Sequence, residues 1–284
     1  MQKKVDGAGW FGIDYNMNLY RGCSHGCIYC DSRSDCYRVE NFDIVRAKHN
    51  GLAILERELQ GRRLRGVVGI GAMSDSYNPF EKHYEITRNA LKLLKKYGFG
   101  VSIETKSDLI VRDIDVFKEI NRQQNVILKL TITAADDGLS RIIEPNVCAS
   151  SARFRALRQL SENGLFTGIL LSPILPYITD NEENIRNIIR LAWENGARFV
   201  WSMGGVTLRE NQRTYFYEKL DTYFNGLKNK YIDTFGNSYV CHTQNKTLAM
   251  IFKEECKKCG LLYKMHDIIE GYKKEKDCLN FDFE

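Results

Sequence analysis

The residues best suited to chemistry are three cysteines near the start of the chain, Cys23, Cys27 and Cys30, spaced C-x3-C-x2-C. Thiolates this close together can ligate three irons of a [4Fe–4S] cluster. No fourth cysteine follows at a matching spacing, so one iron would stay open to bind a group other than protein. The motif therefore predicts a metal centre that does chemistry as well as carrying electrons.

Two other uses of these cysteines have to be weighed. A disulfide framework is disfavoured, because the chain has nine cysteines and a polar start that lacks an apolar signal core. A structural zinc site needs four ligands, and His25 or Cys36 could complete one. Spacing alone therefore leaves a zinc loop open, although the iron–sulfur interpretation is favoured.

The cysteine motif, with Tyr29 before its last cysteine, resembles the signature of the radical S-adenosylmethionine (radical SAM) superfamily. The resemblance runs from about residue 12 to about residue 260. It is narrowed to the spore photoproduct lyase-like, or DNA repair photolyase-like, branch by an ordered set of segments: Asn18–Cys23, Tyr29–Cys36, Ser74–Glu81, Thr105–Asp108, Arg112–Asp113, Glu144–Pro145 and Pro173–Pro176.

The resemblance implies two cofactors, a [4Fe–4S] cluster on Cys23, Cys27 and Cys30 and S-adenosyl-L-methionine (SAM) at the open iron. It implies reductive cleavage of SAM to a 5′-deoxyadenosyl radical that abstracts hydrogen from substrate, and an electron donor such as flavodoxin or ferredoxin. The substrate is not identified, and nucleic acid stays open as a partner. The alternatives are a nucleic-acid-binding repair protein with a structural cluster and an inactive iron–sulfur homologue.

Two residues are expected to act closest to the reaction. The resemblance places Tyr29 near the adenine of SAM and Lys106 at the SAM carboxylate. A lysine that ends an apolar strand also needs an anionic partner or water on physical grounds. A structural ion pair for Lys106 stays open, and Glu104 could be its partner or could bind the ribose.

Further SAM contacts follow from the resemblance, each with a structural alternative. The methionyl ammonium is assigned to Ser74 and Asp75, although both residue types also cap helices. Thr131 is assigned to the ribose or methionyl group. The remaining contacts are Arg153 at the carboxylate, with Arg155 and Arg158 as competitors, and Leu171 and Pro173 at the adenine.

One position departs from the branch. Spore photoproduct lyases carry a cysteine two residues before the Ser-Asp pair, and this cysteine returns a hydrogen atom to the product radical. Here that position is Ala72, which has no S–H group, and the neighbouring Met73 has none either. We therefore expect a reaction other than that of a true spore photoproduct lyase, with an unidentified hydrogen-atom donor.

Short apolar runs alternate with amphipathic stretches, which predicts parallel βαβ units in an α/β fold. Strands are predicted near Met17–Tyr20 and at Val67–Gly71, Gly100–Glu104, Val126–Thr131, Phe166–Leu171 and Phe199–Met203, with helices at 44–60, 83–97, 112–122, 148–163, 182–196 and 210–227. The order of elements favours neither an open sheet nor a barrel. The resemblance implies a partial (β/α)6 barrel with its site at the carboxyl ends of the strands, where parallel folds place their sites.

We expect residues 1–227 to form the core barrel and 228–284 a helical C-terminal extension packed on it, with a strand-like piece at Ser238–Cys241. Four cysteines of this extension could bind a second metal or could simply pack, and both interpretations stay open: Cys241, Cys256, Cys259 and Cys278.

Composition places the chain among cytoplasmic proteins that do not enter a membrane. It has 284 residues, and no apolar run is long enough to span a bilayer. Its net charge of +5 is spread along the chain, which is more typical of solvated surface than of a dense nucleic-acid footprint. Reduced thiols and an oxygen-sensitive cluster also suit the cytoplasm.

Overall fold

The computed structural model describes residues 1–3 and 9–281, and the side chains of residue 3 and of residues 274–281 lie outside the description. The strands within this part of the chain are β1 (Gln2–Lys3), β2 (Tyr15–Met17), β3 (Tyr20–Arg21), β4 (Arg46–Ala47), β5 (Val67–Ile70), β6 (Gly100–Thr105), β7 (Val126–Thr131), β8 (Phe166–Leu171), β9 (Phe199–Ser202), β10 (Gly205–Thr207) and β11 (Val240–His242).

Helices fill most of the connections between these strands. They are α1 (Gly51–Gly61), α2 (Glu81–Tyr84), α3 (Ile86–Lys96), α4 (Ile114–Asn121), α5 (Asp137–Ile143), α6 (Ser150–Glu162), α7 (Glu182–Glu194), α8 (Glu210–Tyr223), α9 (Leu227–Phe235), α10 (Leu248–Lys258) and α11 (Met265–Phe281). Short 3₁₀ turns cover Asp31–Arg33, Asp35–Tyr37 and Asp108–Asp113.

The main sheet has the strand order β1-β2-β5-β6-β7-β8-β9. The six strands from β2 to β9 run parallel, and only β1 pairs antiparallel at the edge. Among the described residues β9 does not pair with β2, so the sheet is not closed. The fold is the predicted α/β partial (β/α)6 barrel, with five predicted strands found within one residue of their positions.

The two faces of the sheet have different partners because side chains alternate along each strand. On one face, Val101, Leu128 and Ile169 pack against the surrounding helices in the main hydrophobic core. On the other, Ile127 and Phe166 pack with residues of helix α11 in a separate cluster. Residues at the carboxyl ends of the strands therefore lie on one face or the other according to their register.

The structure corrects the first predicted strand and two predicted helices. β2 ends at Met17, because Tyr20 pairs with Ala47 in a small separate sheet instead of continuing beside β5. Because Arg46 and Ala47 form strand β4 in this pairing, helix α1 begins at residue 51 and not at the predicted residue 44. The predicted helix at 83–97 is divided at Glu85, whose φ of 48° is left-handed and interrupts a helix. Helix α5 and strand β10 were not predicted.

The predicted strand-like piece of the extension is present as β11, which pairs antiparallel with β10. Helix α10 packs against helix α7 of the barrel. The proposed boundary between residues 227 and 228 stays a prediction. In the part of the chain that the structure describes, no helix is long and apolar enough to cross a membrane.

A buried charged network joins the loop after β5 to the 3₁₀ turn after β6. The Glu81 carboxylate, fully buried, accepts hydrogen bonds from the Thr87 backbone at 3.0 Å and from Arg112 at 2.9 Å. Asp113, also fully buried, accepts from Arg112 at 2.8 Å and from the Tyr77 hydroxyl at 3.0 Å. This network fixes both loops below the carboxyl ends of two central strands.

Replacing Glu81 by Ala should lower the free energy of unfolding by about 3–5 kcal/mol, because Arg112 and the Thr87 N–H lose a buried acceptor. The matched control is Glu119→Ala, which removes a half-exposed partner of Lys95 and should cost no more than about 1 kcal/mol. Urea unfolding of the three proteins measures both changes. Equal losses in the two variants would contradict the structural role of the network.

Candidate active site

A cavity of about 430 Å³ opens at the carboxyl ends of the parallel strands. The loop after β3 contributes Cys23, Cys27 and Cys30, and the ends of β6 and β7 contribute Lys106 and Thr131. The loops after β5 and β8 add Ala72, Asp75, Ser172 and Pro173, and the segment from the end of β9 to the end of β10 adds Met203, Val206 and Thr207. The structure thus brings together side chains from widely separated segments of the sequence.

Backbone hydrogen bonds hold the cysteine loop in place. Cys23 N–H donates to the Phe42 carbonyl at 2.8 Å, and Ile28 N–H donates to the Ile143 carbonyl at 3.0 Å. Gly22 has φ of 78°, and a Cβ there would lie 2.7 Å from the Phe42 carbonyl oxygen. Glycine is therefore needed before Cys23, and the loop is anchored at both ends of the motif.

The three thiols differ in their electrostatic surroundings. Burial raises the pKa of Cys27 and of Cys30. Burial acts in the same direction on Cys23, but the hydrogen bond from His25 outweighs it and lowers the pKa of that thiol. His25 itself lies 3.6 Å from Asp75, whose negative charge overcomes burial and raises the pKa of the imidazole. The sequence motif indicates His25 only as a candidate zinc ligand, and its contacts with Cys23 and Asp75 are visible only in the structure.

Asp75 ties the loop after β5 to the end of β6. Its carboxylate accepts hydrogen bonds from the Thr105 hydroxyl at 2.6 Å, the Lys106 backbone N–H at 2.8 Å and the Tyr77 backbone N–H at 2.8 Å. Asp75 lines the cavity, whereas its neighbour Ser74 is buried and does not. The predicted contacts of both residues with SAM remain predictions, and the observed role of Asp75 is to organise the loop.

The ammonium of Lys106 faces the cavity without an acidic partner. It forms no ion pair with any residue that the structure describes, and its nearest recorded contact is the Tyr29 ring, 5.6 Å from Nζ to the ring centroid. Burial would lower the pKa of Lys106, but the charges of Cys27, Glu144 and Asp75 outweigh it and raise the pKa. Lys106 therefore stays charged and available to a negatively charged ligand.

Glu104 supplies a complementary acceptor on the adjoining wall. Its Oε2 is buried, accepts no hydrogen bond from the described residues and lies 3.7 Å from Lys129 Nζ. Lys129 is buried on the same face and donates to the Ser102 hydroxyl at 2.9 Å. Glu104 is thus paired with Lys129 by charge through Oε2, not with Lys106, and its other oxygen, Oε1, is the one left to accept a hydrogen bond from a ligand.

Behind the cavity, a buried ion pair joins Arg153 to Glu144. The fully buried guanidinium of Arg153 also donates to the Thr131 carbonyl at 2.7 Å and to the Cys148 carbonyl at 3.0 Å. Glu144 in turn accepts hydrogen bonds from the Tyr29 hydroxyl and, at 3.0 Å, from the Thr133 hydroxyl. Tyr29 lines the cavity with its ring, while its hydroxyl is committed to Glu144.

Besides Ser74, two more predicted contacts lie outside the cavity. Arg153 does not line it and has its nitrogens bonded to protein, so the geometry favours a positioning role through Glu144 over a contact with SAM. Leu171 is fully buried in the main core, because it alternates with Leu170, the residue that pairs with Thr131 on the opposite face. Its neighbour Pro173 does line the cavity. The competitors of Arg153, Arg155 and Arg158, are exposed.

The described cysteines of the extension do not form one group. Cys241 packs in one hydrophobic cluster, whereas Cys256 lies in the main core with Cys259 beside it. The side chain of Cys278 lies outside the described residues. Within the described part of the chain, no group of three or more His, Cys, Asp or Glu residues could hold a single metal ion.

The absence of a single-ion site among the described residues also disfavours zinc at the cysteine motif. A zinc site there would need His25 or Cys36 to join the thiols around one ion. A cube takes each thiolate on a different iron, so its ligands need not converge on one point. Cys36 is exposed and lies outside the cavity that Cys23, Cys27 and Cys30 line. The arrangement therefore fits a cluster better than a single zinc ion.

The family model of the radical SAM superfamily matches residues 17–192, and the chain belongs to this superfamily. An uncharacterized protein of Methanocaldococcus jannaschii is 35% identical over 174 residues, which is 60% of this chain and 64% of that protein. An uncharacterized protein of Mycobacterium tuberculosis is 30% identical over 220 residues, which is 75% of this chain and 64% of that protein. The match thus spans just under two thirds of the length of these relatives.

Solved structures give the same fold. A spore photoproduct lyase variant superposes with a TM-score of 0.65 at 12% identity, covering 93% of this chain and 79% of that one. A second variant, with bound AdoMet and dinucleoside spore photoproduct, gives 0.64 at 14% identity and covers 89% and 76%. The likeness confirms a partial barrel of the spore photoproduct lyase-like kind.

Membership of the superfamily confirms the predicted cofactors, a [4Fe–4S] cluster and SAM. The residues present fit both. The cavity offers three thiols on one loop for the cluster, and an unpaired ammonium on Lys106 with a free carboxylate oxygen on Glu104 for a zwitterionic ligand. Which side chains make each contact remains a prediction.

Replacing Arg153 by Met should lower the free energy of unfolding by about 3–5 kcal/mol, because Glu144 is left as an unpaired buried charge. Adding Glu144→Gln should recover part of that loss, and Arg155→Met, an exposed control on the same helix, should change stability by less than about 0.5 kcal/mol. Urea unfolding measures wild type, these three variants and Glu144→Gln alone, which completes the double-mutant cycle. Strictly additive losses in the double variant would show that the two side chains are not coupled.

Proposed function

We propose that the protein is a radical SAM enzyme that uses a [4Fe–4S] cluster on Cys23, Cys27 and Cys30 to cleave SAM reductively. When bound, the two cofactors supply a 5′-deoxyadenosyl radical, which abstracts hydrogen from a substrate that is not identified. We further propose that the enzyme acts in the cytoplasm and receives its electron from a flavodoxin or ferredoxin.

One observation carries the proposal: the unpaired ammonium of Lys106 shares a cavity with the three thiols. A cation withdrawn from water needs an anion beside it, and the described residues offer Lys106 none within ion-pair distance. The carboxylate of SAM is an anion of the right kind. Lys106 would then bind and orient the methionyl group, and the free oxygen of Glu104 could accept from the ribose or the ammonium.

Asp75 and Glu144 hold the residues that would contact SAM in place. Asp75 holds the Lys106 backbone through its N–H, and Glu144 holds the Tyr29 hydroxyl, so the lysine and the aromatic ring are fixed relative to each other. Charges that are preorganised in this way would hold SAM in one orientation, so that a reactive intermediate formed from it meets substrate. Tyr29 would cover the nucleotide with its ring.

This chain differs from spore photoproduct lyases at the position of their hydrogen-donating cysteine, which is Ala72 here. Ala72 lines the cavity, and its methyl group cannot return a hydrogen atom to a product radical. A lyase-like outcome would need another donor. The exposed Ala72 instead leaves space on the loop after β5, and this space would be filled by substrate.

The direct test is formation of 5′-deoxyadenosine from SAM by anaerobically reconstituted, reduced protein. Wild type should form it, and Cys27→Ala should lose most cluster iron and visible absorbance together with the product. Cys36→Ala, which removes an exposed thiol outside the cavity, should keep both. No product above the Cys27→Ala background, or a full cube in that variant, would reject the proposal.

Replacing Lys106 by Met should weaken SAM binding by about 1–3 kcal/mol, the usual effect of losing a charged hydrogen bond, while cluster iron stays at the wild-type level. Lys92→Met on helix α3 is the control, because that lysine is exposed and lies outside the cavity. Equilibrium binding of SAM to the reconstituted proteins measures the change. Unchanged affinity in Lys106→Met would assign the lysine to a purely structural role.

A further inference from the structure

A second cavity, of about 710 Å³, lies between the barrel and the segment that follows it. Its walls come from the ends of β8 and β9, helix α7, the end of β11 and helix α10. Pockets for small organic ligands commonly measure about 300–1,000 Å³. The cavity is therefore large enough to hold a whole ligand of that class.

The floor of this second cavity is apolar. Ile174, Ile185 and Leu248 are buried in the main core and form its base. Phe252 and Tyr263 line it with rings whose centroids are 6.1 Å apart at an interplanar angle of 84°. Such an edge-to-face pair presents a rigid aromatic wall. A ligand that fills the cavity needs an apolar or aromatic body.

The charged side chains that line the second cavity are all positively charged. Lys246, Lys253 and Lys264 line the cavity, and no Asp or Glu is among its described lining residues. These three lysines form no ion pair with the residues that the structure describes, whereas Lys95 and Lys96 on helix α3 are each paired with a glutamate. The nearby carboxylate of Asp180 is outside the lining and accepts a hydrogen bond from Thr243 at 2.7 Å. The rim therefore favours a negatively charged group.

The second cavity adjoins the cofactor cavity at one residue. Met203 lines both, and 44% of its surface is exposed. A methionine side chain is flexible and polarizable, so it can repack against ligands of different shape. A ligand in the second cavity would thus have one end close to the wall of the cofactor cavity.

We propose that the second cavity binds an amphipathic anionic part of the substrate, with the apolar floor and the aromatic wall taking its apolar body and Lys246, Lys253 and Lys264 its phosphate or carboxylate. That the bound ligand is the substrate rests on the proposed function. That the cavity binds an amphipathic anion does not. A nucleoside monophosphate and an aromatic carboxylate both have this chemistry. Inorganic phosphate and an uncharged nucleoside each lack one half of it.

The test is titration of the full chain with 8-anilinonaphthalene-1-sulfonate, an aromatic anion whose fluorescence reports binding. Wild type should bind it saturably, and Lys246→Gln with Lys253→Gln should weaken binding at least about tenfold. Ala249→Trp should also weaken it, because the indole occupies the cavity from helix α10 without changing charge. The control, Lys92→Gln with Lys257→Gln, changes two exposed lysines outside the cavity and should bind as wild type does.

Competition then separates the two sources of the ligand. Displacement of the probe by adenosine 5′-monophosphate indicates a nucleotide, and displacement by 1-naphthoate indicates an aromatic carboxylate. No saturable binding, unchanged affinity in both cavity variants, or displacement by adenosine as strong as by its monophosphate would overturn the proposal. Formation of 5′-deoxyadenosine by the same proteins reports on the cofactor cavity alone, so failure of one proposal is distinguishable from failure of the other.

Discussion

The buried ion pair between Arg153 and Glu144 is the interaction on which the candidate site depends. Arg153 reaches the end of β7 through the Thr131 carbonyl, and Glu144 reaches the cysteine loop through the Tyr29 hydroxyl. One pair of charges therefore connects the loop to the sheet. Breaking such a pair is costly because the remaining charge stays buried, so the ion pair adds to the backbone hydrogen bonds that hold the cysteine loop.

The charges around the cavity explain how one wall can serve two cofactors. The thiols, Glu144 and Asp75 surround Lys106 and keep it protonated despite its burial. No acidic side chain among the described residues neutralises it directly, so its field is directed into the cavity. Glu104, balanced by Lys129, leaves an acceptor on the adjoining wall. A ligand that is itself zwitterionic complements this pattern better than a simple anion or cation.

Much of the fold could be predicted from the sequence, because buried parallel strands are continuous apolar runs and the cysteine motif is local. Prediction was less successful where tertiary contacts determine the local backbone conformation or the direction of a side chain. The left-handed Glu85 divides one helix, and the alternation that turns Leu171 away from the cavity depends on strand register. Glu144 was visible in the sequence only as part of a motif. Its role emerged from partners 115 residues and 9 residues away, which spacing cannot reveal.

If the polypeptide leaves one iron of the cube open, SAM binds that iron through its amino group and its carboxylate. Electron–nuclear double resonance of the reduced cluster, with SAM labelled by ¹⁵N in its amino group and ¹⁷O in its carboxylate, tests this most directly. We expect hyperfine coupling from both labels. A cube that shows coupling from neither label while SAM is bound to the protein would contradict it.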